Sequence, residues 1–351
     1  MARVYLDHNA TTPLRDEART AICAAMDVVG NPSSVHAEGR AAKALIERAR
    51  EQVARAIGAE GAEIVFVASA TEAAALALRG RGLAGSLVEH DAVGAWVSND
   101  LPVATNGRVM VADASVATLQ LANSETGVLQ VLPDGLAVSD MTQAFGKVEV
   151  DFIGSGAMIG LVSAHKLGGP KGVGALVMRR GIDLDSMMKG GGQEMGRRAG
   201  TENIIGIAGF GAAAETAADE VRQGRWKDVA EMRDLLETRI AEAAKETIFV
   251  GKDAAQLPNT SCFAIPGWKG ETQVMQMDLA GFAISAGSAC SSGKVRASKV
   301  LLAMGYEKMT AQSAIRVSLG LNTTRDDIER FSQAWAAQHE KHKRKAQSSA
   351  A

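Results

Sequence analysis

The chain has 351 residues, 46% of them hydrophobic and 22% charged, with 38 basic against 40 acidic side chains and a formal net charge of −2. This is a globular composition with enough apolar residues for a large core, and the length suggests about two domains; the charge balance argues against nucleic-acid binding, which needs a local basic excess. Three cysteines, Cys23, Cys262 and Cys290, exclude a disulfide framework and a four-ligand zinc site, and no apolar stretch is long enough to cross a bilayer, so a cytoplasmic chain with no membrane and no metal is expected.

In chain order, Asn31 to Gly58 opens with Pro32-Ser33-Ser34 as cap chemistry and carries Ala41, Leu45, Ala49, Val53 and Ile57 at helical spacing. Ile64 to Val67 reads as a buried strand, and Ser69-Ala70-Thr71-Glu72 as a capping box opening an alanine-rich helix. Further strand-like pieces are Leu87-Val88, Val109 to Val111, Leu119 to Leu121, Val148 to Val150, Leu161-Val162 and Gly174 to Met178. Strands alternating with helices predict an α/β sheet covered on both faces.

Beyond residue 222 the texture changes. A charged helix carrying Val229, Met232, Leu236 and Ile240 precedes β-rich pieces near Ile248, Cys262 and Ile284. A last helix capped by Thr324-x-x-Asp327 carries Ile328, Phe331 and Trp335 on one face, and its basic tail, His339 to Lys345, is expected to be solvated and frayed. The expected division is a large unit over 16–222 and a smaller α+β unit formed by 1–15 and 223–351.

Candidate chemistry centres on Ser163-Ala164-His165-Lys166-Leu167-Gly168-Gly169-Pro170-Lys171-Gly172, where a lysine follows an apolar strand and enters a glycine-rich turn. Partial desolvation at a sheet rim lowers a lysine pKa and lets the amine attack a carbonyl, although most lysines on turns are simply solvated. Asp140 offers a carboxylate for a pyridinium nitrogen, and Ser69-Ala70-Thr71 at a helix N-terminus offers an anion cup. Cys290, flanked by serine and glycine, suits a reactive thiol. Cys23 and Cys262 sit in apolar or strand-like surroundings and read as core residues.

These residues belong to an ordered set of motifs: Tyr5 to Thr12, Gly30 to Ser34, Ala70-Thr71-Glu72, Glu89-His90, Asn123 to Gly127, Asp140 to Gln143, His165-Lys166, Arg198 to Thr201, Gly287 to Cys290 and Arg316 to Gly320. With them the chain resembles, over almost its whole length, the cysteine desulfurases of the NifS/IscS type, class V aminotransferase enzymes of the fold-type I pyridoxal-phosphate architecture. That architecture has a large, mainly parallel sheet domain flanked by helices and a smaller α+β domain. The resemblance implies pyridoxal 5'-phosphate as cofactor, joined to Lys166, with Asp140 on the ring nitrogen, His90 stacked on the ring, and Gln143 and Asn123 at the ring oxygen. Ala70, Thr71, Ser163 and His165 would hold the phosphate, with Thr201 reaching in from the second subunit of a homodimer.

Arg316, with Asn123, would bind the substrate, L-cysteine. Lys166, His90 and Cys290 would be catalytic, Cys290 taking the sulfur as a persulfide, L-alanine leaving, and the sulfur passing to an acceptor such as an iron–sulfur scaffold protein. The chain departs from the family pattern at Ser69, Ser124, Val138 and Lys294 to Ser298, and the stretch between His90 and Asn123 is short. These changes touch cofactor packing and partner docking rather than the bond-making residues. Competing readings are a selenocysteine lyase or related lyase or aminotransferase of the same fold, and a non-catalytic sulfur-transfer scaffold.

Overall fold

A computed structural model describes residues 3–287 and 297–350. The regular elements, in order, are β1 Val4–Tyr5, α1 Asp16–Met26, α2 Ala37–Ala56, β2 Glu63–Val67, α3 Ala70–Leu78, α4 Asp91–Gly94, β3 Val138–Asp140, β4 Ile159–Ser163, β5 Gly174–Met178, α5 Ile204–Arg222, α6 Arg225–Ala243, β6 Ile248–Phe249, β7 Thr260–Ala264, α7 Gly270–Leu279, β8 Phe282–Ala283, β9 Ser285–Ala286, α8 Lys299–Ala303, α9 Lys308–Ser313, β10 Ala314–Ser318 and α10 Arg325–Ala350.

The first sheet has the order β2-β5-β4-β3. β5 runs antiparallel to β2 and β4, whereas β3 is parallel to β4. Parallel pairing continues outward only as single bridges, Thr118 to Val138 and Ala84 to Ala117. Alternate residues leave opposite faces, as the two-residue period of a strand requires. Ile64, Phe66, Val162, Ala175 and Val177 join one core with residues of α2 and α5. Val65, Val67, Ile159, Leu161, Leu176 and Met178 join a second core with α3. This two-sided burial is the reason these strands are apolar runs rather than alternating ones. On α2 the buried stripe is Ala42, Ile46, Ala49 and Val53, one residue out of phase with Ala41 and Leu45 at its start, and its N-cap is His36 rather than a serine. Gly211 lets α5 touch α2: a Cβ there would come within 2.7 Å of the Ala49 Cα.

The second sheet, β6-β7-β10-β9, is antiparallel throughout. β1 pairs with β8, which ties the start of the chain to this half of the molecule. Its core gathers Val229, Leu236 and Ile240 of α6 with Ile328, Phe331 and Trp335 of α10. The Thr324 and Asp327 side chains exchange hydrogen bonds with each other's backbone N–H at the start of α10, as a capping box does.

Three sequence expectations change. The tail does not fray at His339: α10 runs on to Ala350, and His339 is 1% exposed, stacked on Trp268 and Trp335. Cys23 is exposed, while Cys262 is buried. Of the expected strand pieces, those at Leu87, Val109, Leu119 and Val148 are turns, irregular chain or single bridges. Cys290 lies outside the described residues. Among those described, no helix is long and apolar enough to cross a membrane.

Candidate active site

β4 ends at Ser163 and passes into a single helical turn, Ala164–Lys166, so Lys166 stands at the rim of the first sheet. The N-terminal segment straps this turn: Thr12 N donates to the His165 carbonyl at 2.9 Å and Thr12 Oγ1 to the Lys166 carbonyl at 3.0 Å. Lys166 Nζ donates to the carbonyls of Asn9 at 2.6 Å and Ala10 at 3.0 Å. Burial, then the nearby Arg316 charge, lower its pKa to about 8, with Asp140 and Asp7 opposing. About a tenth of the amine is therefore uncharged at pH 7, far more than for an ordinary lysine, and the uncharged form is what a nucleophile or base requires.

Asn9 is the joint between the two sheets. It is 1% exposed, its N–H donates to Ser318 Oγ at 2.9 Å, and its Nδ2 donates to Thr260 Oγ1 at 2.8 Å. A cavity of about 340 Å³ opens beside it, lined on one side by Gln143 and Lys166, on another by Glu89 and His90, and across from them by Ser285 and Arg316. His90 is exposed at the N-cap of α4, with Nδ1 accepting from Ala92 N at 3.1 Å; this assigns the proton to Nε2 and leaves a ring face open for stacking. Arg316, on β10, donates to Asp7 Oδ1 and to the Ser124 carbonyl, each at 2.8 Å, and its buried Nε has no partner among the described residues. Asp7 Oδ2 also accepts from Ser285 Oγ at 2.8 Å, which ties β9 to the same ion pair. Gly287, Ala297 and Lys299, from either side of the segment that contains Cys290, also line the cavity.

Other expected residues lie beside the cavity rather than on its wall. Asp140 closes β3, next to β4, and its Oδ1 accepts from Thr142 N at 2.9 Å. Ser163 pairs in register with Gly174, and a Cβ on Gly174 would stand 3.1 Å from the Ala70 N. That close backbone approach brings Ser163 to the N-terminus of α3, where Ser69 Oγ accepts from Glu72 N at 3.3 Å. Among the described residues, no acceptor meets the N–H of Ala70 or Thr71. His165 Nδ1 lies 3.1 Å from Thr11 Oγ1, and burial followed by the Lys166 charge lowers its pKa to about 4, so it is a neutral ring.

Two residues are placed differently. Asn123 is 2% exposed and its Oδ1 accepts from Glu125 N, Thr126 N and Thr126 Oγ1, while Nδ2 donates to the Val88 carbonyl; its amide is engaged in shaping the turn under the cavity. Thr201 is exposed and lines a separate cavity with Phe66, Ala68 and Arg198.

Several groups were not singled out from the sequence. Glu89 is 1% exposed, accepts from Gln120 N through Oε1 at 2.8 Å and has no partner for Oε2 among the described residues; burial pushes its pKa up to about 8. Glu125 accepts from Ser298 Oγ at 2.5 Å and is pushed by burial to about 7. Lys147 is 1% exposed. Glu89 and Glu125 were legible as members of motifs, but nothing local marks a charged residue as buried.

The set suits pyridoxal phosphate. A rim lysine with a lowered pKa, a carboxylate one strand away, an open imidazole face and N–H groups without acceptors at a helix N-terminus are what the aldehyde, ring nitrogen, ring and phosphate of that cofactor require.

The family model for class-V aminotransferases matches residues 4–93 and 108–331. The stretch between the two matched blocks begins at the last residue of α4, a single turn of helix. A cysteine desulfurase of Cereibacter sphaeroides is 39% identical over 370 residues, covering 94% of both chains. The solved structure of a NifS-like protein from Rickettsia africae superposes with a TM-score of 0.87 at 30% identity, covering 96% of this chain and 99% of that one. A structure of SspA in complex with cysteine gives a TM-score of 0.75 at 26% identity, covering 92% of this chain and 100% of that one.

Proposed function

The chain belongs to the class-V aminotransferase family and, within it, to the cysteine desulfurases, which are pyridoxal-phosphate enzymes, and from that premise we propose that it takes the sulfur of L-cysteine onto Cys290 as a persulfide. Its second product is L-alanine. The observation that carries this reading is the Lys166 amine, poised in one cavity with Arg316 and bordered by the chain on both sides of Cys290.

Lys166 is the residue to which the cofactor would join. Asp140 would hold the ring nitrogen, His90 would cover the ring and Gln143 would serve the ring oxygen, while Asn123, its amide engaged by Glu125, Thr126 and Val88, shapes the turn beneath them. Ala70, Thr71, Ser163 and His165 would hold the phosphate, with Thr201 supplied by the partner of a homodimer; its position in a separate cavity of its own protomer agrees with that role. The cofactor, when bound, supplies an electron sink that makes the substrate Cα proton removable. Arg316 grips the substrate carboxylate, for which its unpartnered Nε is suited. Lys166, released from the Asn9 and Ala10 carbonyls, takes the Cα proton.

The Cys290 thiolate attacks the substrate sulfur. The Cβ–S bond breaks, its electron pair stays with the carbon skeleton, which is protonated and leaves as L-alanine, and the sulfur remains on Cys290. It then passes to an acceptor protein, an iron–sulfur scaffold in the cytoplasm. The recognition of cysteine by a relative of the same fold supports the substrate.

The test is to load the protein with pyridoxal phosphate, add L-cysteine, and measure alanine and protein-bound persulfide. Cys290→Ser should retain the long-wavelength absorbance of the bound cofactor and form no persulfide. Alanine production by Cys290→Ser at the wild-type rate would overturn the assignment of the nucleophile.

A further inference from the structure

Lys147 has no place in the chemistry above, yet it is the most deeply buried lysine at this site, 1% exposed. Its Nζ donates to the Gln143 carbonyl at 2.9 Å and to Gln143 Oε1 at 3.1 Å, one helical turn back in sequence. Among the described residues it forms no ion pair. The charged and titratable groups that face it are Lys166 and Arg316, both cationic, and His8 and His165. Burying a lone amine among cations is unfavourable. A methionine would fill the same space without that cost, so the nitrogen calls for an explanation in what it touches.

What it touches is one end of an amide. A glutamine side chain accepts at Oε1 and donates at Nε2, and an ammonium can only donate. Lys147 therefore faces Oε1 and turns Nε2 the other way, where it donates to the Asn9 carbonyl at 2.9 Å. The flipped amide would set two acceptors, Oε1 and the Asn9 carbonyl, against each other. That carbonyl also accepts from Lys166 Nζ at 2.6 Å. Asn9 is 1% exposed, so if Lys166 alone satisfied its carbonyl, each departure of the amine would strand a buried acceptor.

We propose that Lys147 is a positioning residue for Lys166: by fixing the Gln143 amide it keeps a second donor on the Asn9 carbonyl, so that Lys166 leaves that carbonyl at low cost. The inference rests on the reading of Lys166 as the reactive amine, and deepens it. Burial, then the Lys166 and Arg316 charges, bring Lys147 itself down to about 7. The neutral amine still has the two N–H groups that its two observed bonds need.

The experiment uses the full chain without cofactor. Lys166 is labelled by reductive methylation across pH, its modification is followed by peptide mass spectrometry, and folding is checked by circular dichroism. Lys147→Met, which lacks donor and charge, should raise the labelling midpoint of Lys166 by about half a unit, so that the rate on the acid side falls about threefold. Gln143→Met keeps the buried amine but removes the second donor, and should raise the midpoint in the same direction. A wild-type midpoint in folded Gln143→Met overturns the proposal even if Lys147→Met fails to fold. A shift in Lys147→Met alone would mean that Lys147 acts by charge and not through Gln143, and equally overturns it. A wild-type enzyme that makes no alanine from cysteine would sink the desulfurase reading and leave this titration unaffected.

Discussion

The floor and the roof of the cavity hold their cations in opposite ways. On the floor, Lys166 at the end of β4 is held by two neutral backbone carbonyls and repelled by Arg316, so its charged form is disfavoured where it stands. On the roof, Arg316 on β10 is held by the Asp7 carboxylate and the Ser124 carbonyl, and Asp7 is itself braced by Ser285. Neutral acceptors release an amine more readily than a carboxylate releases a guanidinium, since bonds to an ionised partner are the stronger ones. The group that must move and change protonation is loosely held, whereas the group that must only bind is fixed with one donor to spare.

The largest effect that would test this contrast is on the floor. Lys166→Ala is expected to abolish the long-wavelength absorbance of the bound cofactor and to lower kcat about 10³- to 10⁴-fold, at the upper end of what one general base contributes. Retention of most of the activity would show that the mobile amine is elsewhere. On the roof, Arg316→Lys keeps the charge but loses the fork. Losing one charge-assisted hydrogen bond, worth about 1.5–3 kcal/mol, should raise KM for cysteine roughly 10- to 100-fold with a smaller change in kcat. A variant that instead lost kcat at unchanged KM would place Arg316 in the chemistry and erase the distinction between the two sides.

How far each side could be read from the sequence follows from the range of the interactions that fix it. β2, β4 and β5 were visible because strands buried on both faces must be apolar runs. The Lys166 turn was visible because its residues are contiguous. What escaped depended on distant partners or on helical phase. His339 sits in a run of charges that reads as solvated, and its stacking on Trp268 and Trp335 buries it. Cys23 lies in the apolar run Ala21 to Ala25, yet α1 buries Ala18 and Ala25, two turns apart, and Cys23 points elsewhere. Glu89 and Lys147 are the sharper cases, since a charged side chain in a sequence defaults to the surface. The pairing of Arg316 with Asp7 joins residues at opposite ends of the chain, and no local pattern announces it.

Those two hidden charges make the smallest and most specific prediction, for the stability of the cofactor-free protein. Glu89 has a folded pKa raised from 4.5 to about 8, so between these values the folded state binds the extra proton and stability falls as pH rises. Lys147 is lowered from 10.5 to about 7, so between these values the unfolded chain binds the extra proton and stability rises with pH. His8 and His165, both lowered to about 4, add a rise of stability with pH through roughly pH 4–6.5 that partly offsets the Glu89 trend. The informative quantity is therefore the difference between variant and wild type in urea unfolding, measured pH by pH. Relative to wild type, Glu89→Gln should gain stability from pH 5 to pH 8, with a slope of up to about 1.4 kcal/mol per unit, the limit for one proton. Lys147→Met should lose its relative advantage from pH 8 to pH 10 with a similar limit and the opposite sign. Parallel curves for Glu89→Gln and wild type would mean that Glu89 is ionised and solvated in the fold. Glu125, beside Arg316, would then be left as the buried acid of the cavity with a raised pKa.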